Sequence, residues 1–200
     1  SATILVRPDG SGDQPTIQTA VMSSSAGDTI LLASGTFTGA GNRDISVSGM
    51  NLFILSESGD YNSCILELGG YPGLAFSGTS AAMSAVRGIT FRNGASAQGG
   101  GIYASISWLE IENCSFEMNS ASGNGGGMYV YATTCLVEDC LLADNYGRYG
   151  GGIYAEGSSL TVRRSEFTGN TAETGAGLSL NPTSSTTVTN TLFIGNTAQN

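Results

Sequence analysis

The sequence of 200 residues contains no histidine and no lysine. Without histidine the chain lacks the usual general base, the commonest transition-metal ligand and any Ser-His-Asp or Cys-His catalytic arrangement. Arginine supplies all 7 basic residues against 16 acidic ones, which gives a formal net charge of −9. We therefore expect no nucleic-acid partner, because a polyanion would be repelled. Any chemistry would have to use carboxylates, arginine, tyrosine or cysteine.

Long apolar runs and proline are also scarce. The mean hydropathy is +0.05, so no membrane insertion by this segment is expected. No basic and hydrophobic leader precedes the apolar run Ile4–Val6, so a signal peptide was either removed or never present. The chain has only 4 prolines but 30 glycines, which follow no collagen period. A chain that turns so often is typical of an all-β fold.

A repeat of about 25 residues dominates the second half of the chain. Glycine-rich blocks start 26, 25 and 25 residues apart, at Gly99, Gly125, Gly150 and Gly175. A ladder of large apolar residues has the same period: Phe91, Phe116, Leu142, Phe167 and Phe193. Three residues after each of these lie Gly94, Asn119, Asn145, Asn170 and Asn196. Because these motifs share one period, each repeat is predicted to be one coil of a solenoid.

Within each repeat, apolar and polar residues alternate, as in the segment 109–112. This alternation predicts half-buried strands whose apolar side chains stack in inward columns. One predicted column is Ile102, Met128, Ile153 and Leu178, a second is Ile111, Val137, Val162 and Val188, and the phenylalanine ladder is a third. The asparagine column is expected at bends, where Asn tolerates a left-handed backbone and stacked amides hydrogen-bond from coil to coil.

We divide the chain into three parts of one domain. Residues 1–28 are predicted to be an N-terminal cap and entry strand, residues 29–84 irregular first coils, and residues 85–200 regular coils. Strands are predicted over residues 29–32, 51–55 and 64–66. The segment 15–22 places Ile17, Ala20 and Val21 on one face, which predicts a short helix covering the end of the solenoid core.

Two parts of the sequence resemble known families. The stretch 6–13, followed by Thr16-Ile17-Gln18, resembles the N-terminal entry of the pectate lyase and pectin methylesterase superfamily, and Gly35-Thr36-Phe37 resembles the G-T-Y that follows it. The later FxxN and GG[AG][ILVM] motifs are similar to the repeats of chlamydial polymorphic membrane proteins and related bacterial surface proteins. These resemblances imply a right-handed parallel β-helix that is secreted or displayed at the cell surface. The aspartate motifs of pectin methylesterases are absent, so esterase activity is not expected.

An outward column of tyrosines is the first candidate site. Tyr103, Tyr129 and Tyr154 follow the glycine blocks, and Tyr131 lies on the same strand as Tyr129. Tyrosine combines a large apolar area with a polar tip, so this column is predicted to bind a glycan or a surface protein. On this hypothesis Tyr129→Ala weakens binding roughly tenfold or more and changes stability little. The alternative is a ladder that stabilises the fold by cross-strand stacking.

An outward column of charges is the second candidate. Glu112, Glu138 and Arg163 share one column, and Glu110 lies on the same face as Glu112. Stacked carboxylates raise each other's pKa unless a cation binds, so Glu110, Glu112 and Glu138 form an alternative calcium site. With Arg163 the set resembles that of pectate lyases, which implies an alternative catalytic set of Glu112, Glu138 and Arg163. The other hypothesis is a surface ion pair between Glu138 and Arg163.

The four cysteines match no zinc-binding pattern. Cys114 and Cys140 fall at equivalent positions on neighbouring coils, about 4.8 Å apart, within the range of a disulfide. We expect a disulfide between them, with buried thiols as the alternative. Cys135 aligns with Leu109 and Leu160 and is predicted to be a core thiol, whereas Cys64 has no aligned partner.

Taken together, these patterns favour a non-catalytic extracellular or cell-surface module, adhesin-like or structural, without a cofactor. One alternative is a calcium-dependent lyase of acidic polysaccharides. The other is a filament subunit that self-associates through the solenoid ends, because the coils continue to Asn200 without a visible cap.

Overall fold

The computed structural model describes residues 1–78 and 82–199. Its parallel strands form four sheets, here named A to D. Sheet A contains Thr3–Val6, Thr29–Leu32, Phe53–Ser56, Met83–Arg87, Trp108–Glu112, Thr134–Glu138, Ser159–Arg163 and Ser185–Thr189. Sheet B contains Gly35–Phe37, Cys64–Glu67, Thr90–Arg92, Ser115–Glu117, Leu141–Ala143, Glu166–Thr168 and Leu192–Ile194. Sheet C contains Ile45–Ser48, Leu74–Ser77, Ile102–Ser105, Met128–Tyr131, Ile153–Glu156 and Leu178–Leu180. Sheet D contains Ala95–Gln98, Ser120–Asn124, Tyr146–Tyr149, Thr171–Thr174 and Thr197–Ala198.

Each regular coil passes through the four sheets once. In one coil, Ile102–Ser105 lies in sheet C, Trp108–Glu112 in sheet A, Ser115–Glu117 in sheet B and Ser120–Asn124 in sheet D. The chain then returns to sheet C at Met128, next to Ile102. Every strand pairs in parallel with the strand of the neighbouring coil, so the predicted all-β parallel solenoid is confirmed.

The predicted inward columns are confirmed by the strand register. In sheet B, Phe116 lies between Phe91 and Leu142, and Phe167 pairs with both Leu142 and Phe193. The columns of Ile102 in sheet C and Ile111 in sheet A continue in the same way. These side chains are buried in the inner coils, and apolar side chains stacked in this way form one continuous core.

Left-handed residues mark the corners between sheets. At the corner between sheets B and D, Met118 and Asp144 have φ angles of 53° and 55°. Each directly precedes a member of the asparagine column, Asn119 or Asn145. The prediction that the asparagines themselves occupy the left-handed positions is therefore wrong. The residue before each asparagine makes the turn, and the amide points into the buried corner.

The asparagine amides form the predicted ladder from coil to coil. The Nδ2 of Asn145 donates to Oδ1 of Asn170 at 2.9 Å and to the Phe116 carbonyl at 2.9 Å. Its Oδ1 accepts from the backbone N–H of Asn119 at 3.0 Å and from the Asn119 Nδ2 at 3.1 Å. Asn119 and Asn170 have equivalent bonds. The buried amides are thus fully hydrogen-bonded, as burial requires.

The glycine blocks are explained by backbone angle and by close approach. Gly125, the first residue of its block, has φ of 66°, a conformation that favours glycine. A Cβ on the next residue, Gly126, would lie 2.6 Å from the carbonyl oxygen of Gly151 and closer still to that of Tyr146. Each block therefore allows the chain to fold back from sheet D to sheet C while neighbouring coils remain in contact.

The N-terminal segment contains the predicted short helix and the predicted first strands. Helix α1 (Ile17–Ser23) begins after the N-cap Thr16, and Ile17, Ala20 and Val21 are buried in the common core. The strands predicted over residues 29–32, 51–55 and 64–66 are present, with small shifts at their ends. The entry strand Thr3–Val6 pairs with Thr29–Leu32. Residues 79–81 of the predicted first coils and Asn200 of the regular coils lie outside the described residues.

Candidate functional site

The predicted tyrosine column forms a stack on the outer face of sheet C. The ring centroids of Tyr103 and Tyr129 are 5.4 Å apart, and those of Tyr129 and Tyr154 are 5.8 Å apart. The interplanar angles are 17° and 3°. The rings are thus stacked face against face. Such contacts stabilise neighbouring strands, so the ladder proposed as an alternative is present in the structure.

Tyr129, in the middle of this stack, is only 4% exposed. Its hydroxyl donates to Oε2 of Glu156 at 2.9 Å. Burial raises the pKa of Tyr129, and the hydrogen bond to the Glu156 carboxylate raises this pKa further. A partner can therefore reach little of Tyr129. Accessible contacts would have to come from the ends of the stack and from its surroundings.

The surroundings of the stack supply exposed rings. Tyr131, on the same strand as Tyr129, is 41% exposed. Tyr149, which ends a strand of sheet D, is 37% exposed, and its ring centroid lies 6.2 Å from that of Tyr154. We call this surface the tyrosine face: Tyr103, Tyr129, Tyr131, Tyr149 and Tyr154. Tyr149 was missed because it does not belong to the repeated glycine block.

The two ends of the stack are next to small residues. In sheet C, Tyr103 pairs with Ala75 of the preceding coil, and Tyr154 pairs with Ser179 of the following coil. A hollow of about 270 Å³ lies beside Tyr103 and is also lined by Ala75 and Asp44. A second hollow of about 290 Å³ is lined by Asp44 and Tyr71. The tyrosine face thus continues into two concave surfaces that the repeats did not predict.

The predicted charge column exists, but its carboxylates are paired with arginines. Glu138 lies between Glu112 and Arg163 in the register of sheet A. Arg163 Nη2 donates to Glu138 Oε2 at 2.7 Å, and Arg164 also bonds to Glu138. The hydrogen bond from Arg163 is the main cause that lowers the pKa of Glu138 below 4.5. The hypothesis of a Glu138–Arg163 ion pair is confirmed, and the expected rise of the Glu138 pKa is wrong.

The other two glutamates of the alternative calcium site share one arginine. Arg87 Nε lies 2.9 Å from Oε2 of Glu112, and Arg87 Nη2 lies 3.4 Å from Oε2 of Glu110. Arg87 lies in the preceding coil and pairs with Glu112, so the repeat of about 25 residues could have predicted that it belongs to this column. In residues 1–78 and 82–199 there is no cluster of three His, Cys, Asp or Glu residues arranged to hold a metal ion. The arginines neutralise the carboxylates that a cation or a general base would require.

A further groove of about 520 Å³ lies at the corner between sheets A and B. Arg164 and Asp139 line it and form a two-point ion pair, with 2.9 Å from Nη2 to Oδ2 and from Nε to Oδ1. This ion pair lowers the pKa of Asp139, first through the hydrogen bond from Arg164. Leu141, Glu166 and Leu192 line the adjacent wall. The Arg164 guanidinium in this groove is thus already bound to acidic groups.

All four cysteines are free thiols in the structure, so the expected Cys114–Cys140 disulfide is not formed there. The two residues do occupy equivalent positions, but their Sγ atoms donate to the carbonyls of Glu112 and Glu138 instead. Cys64 lies in the same column. Ile65, the residue after Cys64, pairs with Thr90, and Thr90 pairs with Ser115, the residue after Cys114. Burial raises the pKa of Cys64, Cys114 and Cys135 to about 12 and that of Cys140 well above its usual value.

The part of the chain that the structure describes has no helix with the length and apolarity needed to cross a membrane.

Comparison with known proteins identifies the fold family of this chain. A family model described as "Right handed beta helix region" matches residues 29–197. Neither the comparison with curated proteins nor the comparison with solved structures gave a significant match. The matched range covers most of the chain, from the second strand of sheet A to the last strand of sheet D. The chain therefore belongs to the right-handed β-helix family.

Proposed function

We propose that this chain is a non-catalytic, adhesin-like module that binds a glycan or a protein through its tyrosine face. The observation that carries the proposal is the position of two exposed rings beside the stacked column: Tyr131 on the strand of Tyr129, and Tyr149 next to Tyr154. Tyrosine is enriched at binding surfaces because it offers a large rigid area together with a hydroxyl group. The contact with Tyr154 restricts the Tyr149 ring before a partner arrives, which lowers the entropy cost of binding.

A secreted or cell-surface location is part of this proposal. It rests on the resemblance of the repeats to those of bacterial surface proteins. The low content of charged residues, 12%, and the long exposed sheets suit a module whose task is to display a surface.

The two alternatives receive less support. A lyase would need a free base and free metal ligands, whereas Glu112 and Glu138 are both bound to arginines. A filament of solenoids stacked end to end would need an open N-terminal end. Helix α1 lies there, and its residues Ile17 and Val21 are buried in the core. A second copy would have to displace this helix before it could pair with the first coil.

An array that carries glycans and purified extracellular-matrix proteins tests the proposal. The wild type is compared with a double variant, Tyr131→Ser with Tyr149→Ser, in which both changes fall on exposed side chains. Each ring contributes about 1 to 3 kcal/mol when buried by a partner, so we expect at least a tenfold loss of binding, or about 1.4 kcal/mol. Met22→Ser is the matched control, because Met22 is an exposed apolar residue on helix α1. Unchanged binding by the double variant, or no binding by the wild type, contradicts the proposal.

A further inference from the structure

We infer that the two hollows beside the tyrosine stack form one groove for a neutral oligosaccharide. This inference rests on the proposed function, since it names the ligand class and its place on the tyrosine face. The hollows have volumes of about 270 and 290 Å³ and share Asp44 as a lining residue. Tyr103 lines the first hollow and Tyr71 the second. An aromatic side chain therefore stands on each side of a carboxylate.

Tyr103 has one ring face free for a ligand. Its other face stacks on Tyr129, with 5.4 Å between the ring centroids. On the free side the neighbour in the register is Ala75, whose methyl group cannot cover a phenol ring. A pyranose sugar has a face of C–H groups that packs on such an aromatic surface, and the hollow above Ala75 leaves room for it.

Polar groups converge on the same hollow. Asp44 is exposed and sits at a left-handed turn with φ of 53°, where its backbone N–H donates to the Pro72 carbonyl at 2.6 Å. Ser96 and Gln98 of the strand Ala95–Gln98 line the opposite wall. A carboxylate that accepts and an amide that both donates and accepts can bind the hydroxyl groups of a sugar. An apolar platform with a few polar groups at its rim is the usual composition of a small-ligand site.

The second hollow extends this pattern. The guanidinium carbon of Arg43 lies 3.6 Å from the centre of the Tyr71 ring, which fixes the ring beside Asp44. Gln18 also lines this hollow, and its Oε1 accepts from the Ser46 backbone N–H at 3.0 Å. Its NH₂ group is left as a donor toward a ligand. Two hollows that meet at Asp44 suit a chain of several sugars better than a single ring.

Charge favours a neutral sugar chain. Asp44 forms no ion pair with any arginine among the described residues. Arg43 is held over Tyr71 and donates to the Leu68 carbonyl at 3.5 Å. The whole chain carries a formal charge of −9. Asp44 and Arg43 offset each other in the second hollow, so it is the net charge of the whole chain that repels a uronate polymer but not a neutral one.

Titration calorimetry with cellohexaose, mannohexaose, xylohexaose and hexagalacturonate tests the inference. The decisive variant is Ala75→Tyr, which would place a fourth ring on Tyr103 and fill the hollow while extending the stack. We expect this variant to fold and to lose binding of the neutral hexasaccharide at least about tenfold. Ser179→Tyr is the matched control, because it extends the same stack at its other end, beside Tyr154. Its binding should stay within about twofold of the wild type.

Asp44→Asn supplies a second variant, since asparagine tolerates the same left-handed turn. We expect weaker binding with an unchanged thermal midpoint. Preference for hexagalacturonate, equal losses in Ala75→Tyr and Ser179→Tyr, or no binding of any neutral hexasaccharide overturns the inference. The array experiment with the Tyr131→Ser and Tyr149→Ser double variant tests the proposed function separately. If a protein partner no longer binds the double variant but still binds Ala75→Tyr, the proposed function holds and the inference of a sugar groove is wrong.

Discussion

Replacing Asn145 with alanine should be among the most damaging single changes in this solenoid. Its side chain makes four hydrogen bonds, to Asn119, Phe116 and Asn170, in a corner without solvent. A buried hydrogen bond contributes about 1 kcal/mol net, and a buried group that loses its partner costs about 1 to 3 kcal/mol. We therefore expect the free energy of unfolding to fall by about 4 kcal/mol.

For a domain of this size, 1 kcal/mol shifts the thermal midpoint by about 2 to 4 °C. Asn145→Ala should then lower the midpoint by roughly 8 to 16 °C when unfolding is followed by far-ultraviolet circular dichroism. Thr171→Ala, at an exposed position of sheet D, is the control and should change it little. A shift of less than about 3 °C for Asn145→Ala would refute the view that the amide ladder holds the coils together.

Further predictions concern packing, thiols and pH. Gly126→Ala should destabilise the fold by more than about 1 kcal/mol in urea titration, because a Cβ there collides with the backbone of the next coil. Tyr129→Ala should cost about 3 kcal/mol, in contrast to the small change expected from the sequence, because Tyr129 is buried between two rings. All four cysteines should resist alkylation in the folded protein and be labelled after unfolding without reductant; two labels would instead indicate the Cys114–Cys140 disulfide. Because the pKa of Glu138 is lowered in the folded protein, this residue contributes to the free energy of unfolding above pH 4.5, and the contribution is lost as the pH falls through the folded pKa. The thermal midpoints of wild type and Glu138→Gln should therefore converge in acid.

The regular coils could be predicted because stacked positions repeat the same residue types at the same spacing. The strands of the first coils could be predicted but their pairing register could not, because these coils differ in length. Thr29 pairs with Phe53, 24 residues later, whereas Phe53 pairs with Ala85, 32 residues later. The longer coil contains the turn at Tyr61–Ser63, which lies over the corner between sheets A and B. Insertions of this kind remove the period from the sequence and leave the core strands in register.

The candidate site was predicted only in part. The period places Tyr103, Tyr129 and Tyr154 in one column, but it does not tell how much of each ring the neighbouring coils cover. Tyr149 reaches the column from sheet D, and this contact depends on how the chain folds back at the glycine block. The hollow beside Tyr103 exists because an irregular coil places Ala75 where later coils have tyrosine. Such features arise between coils of different sequence, so the repeat alone does not predict them.

Tyrosine-selective nuclear magnetic resonance tests the central claim, that the tyrosine face binds the partner. The chain has 8 tyrosines, and their ring signals can be assigned by single substitution to phenylalanine. On titration with the ligand found on the array, we predict shifts for Tyr103, Tyr131, Tyr149 and Tyr154. Tyr61, in the groove between sheets A and B, should keep its signal unchanged. Shifts confined to Tyr61, with the tyrosine face unaffected, would contradict the claim.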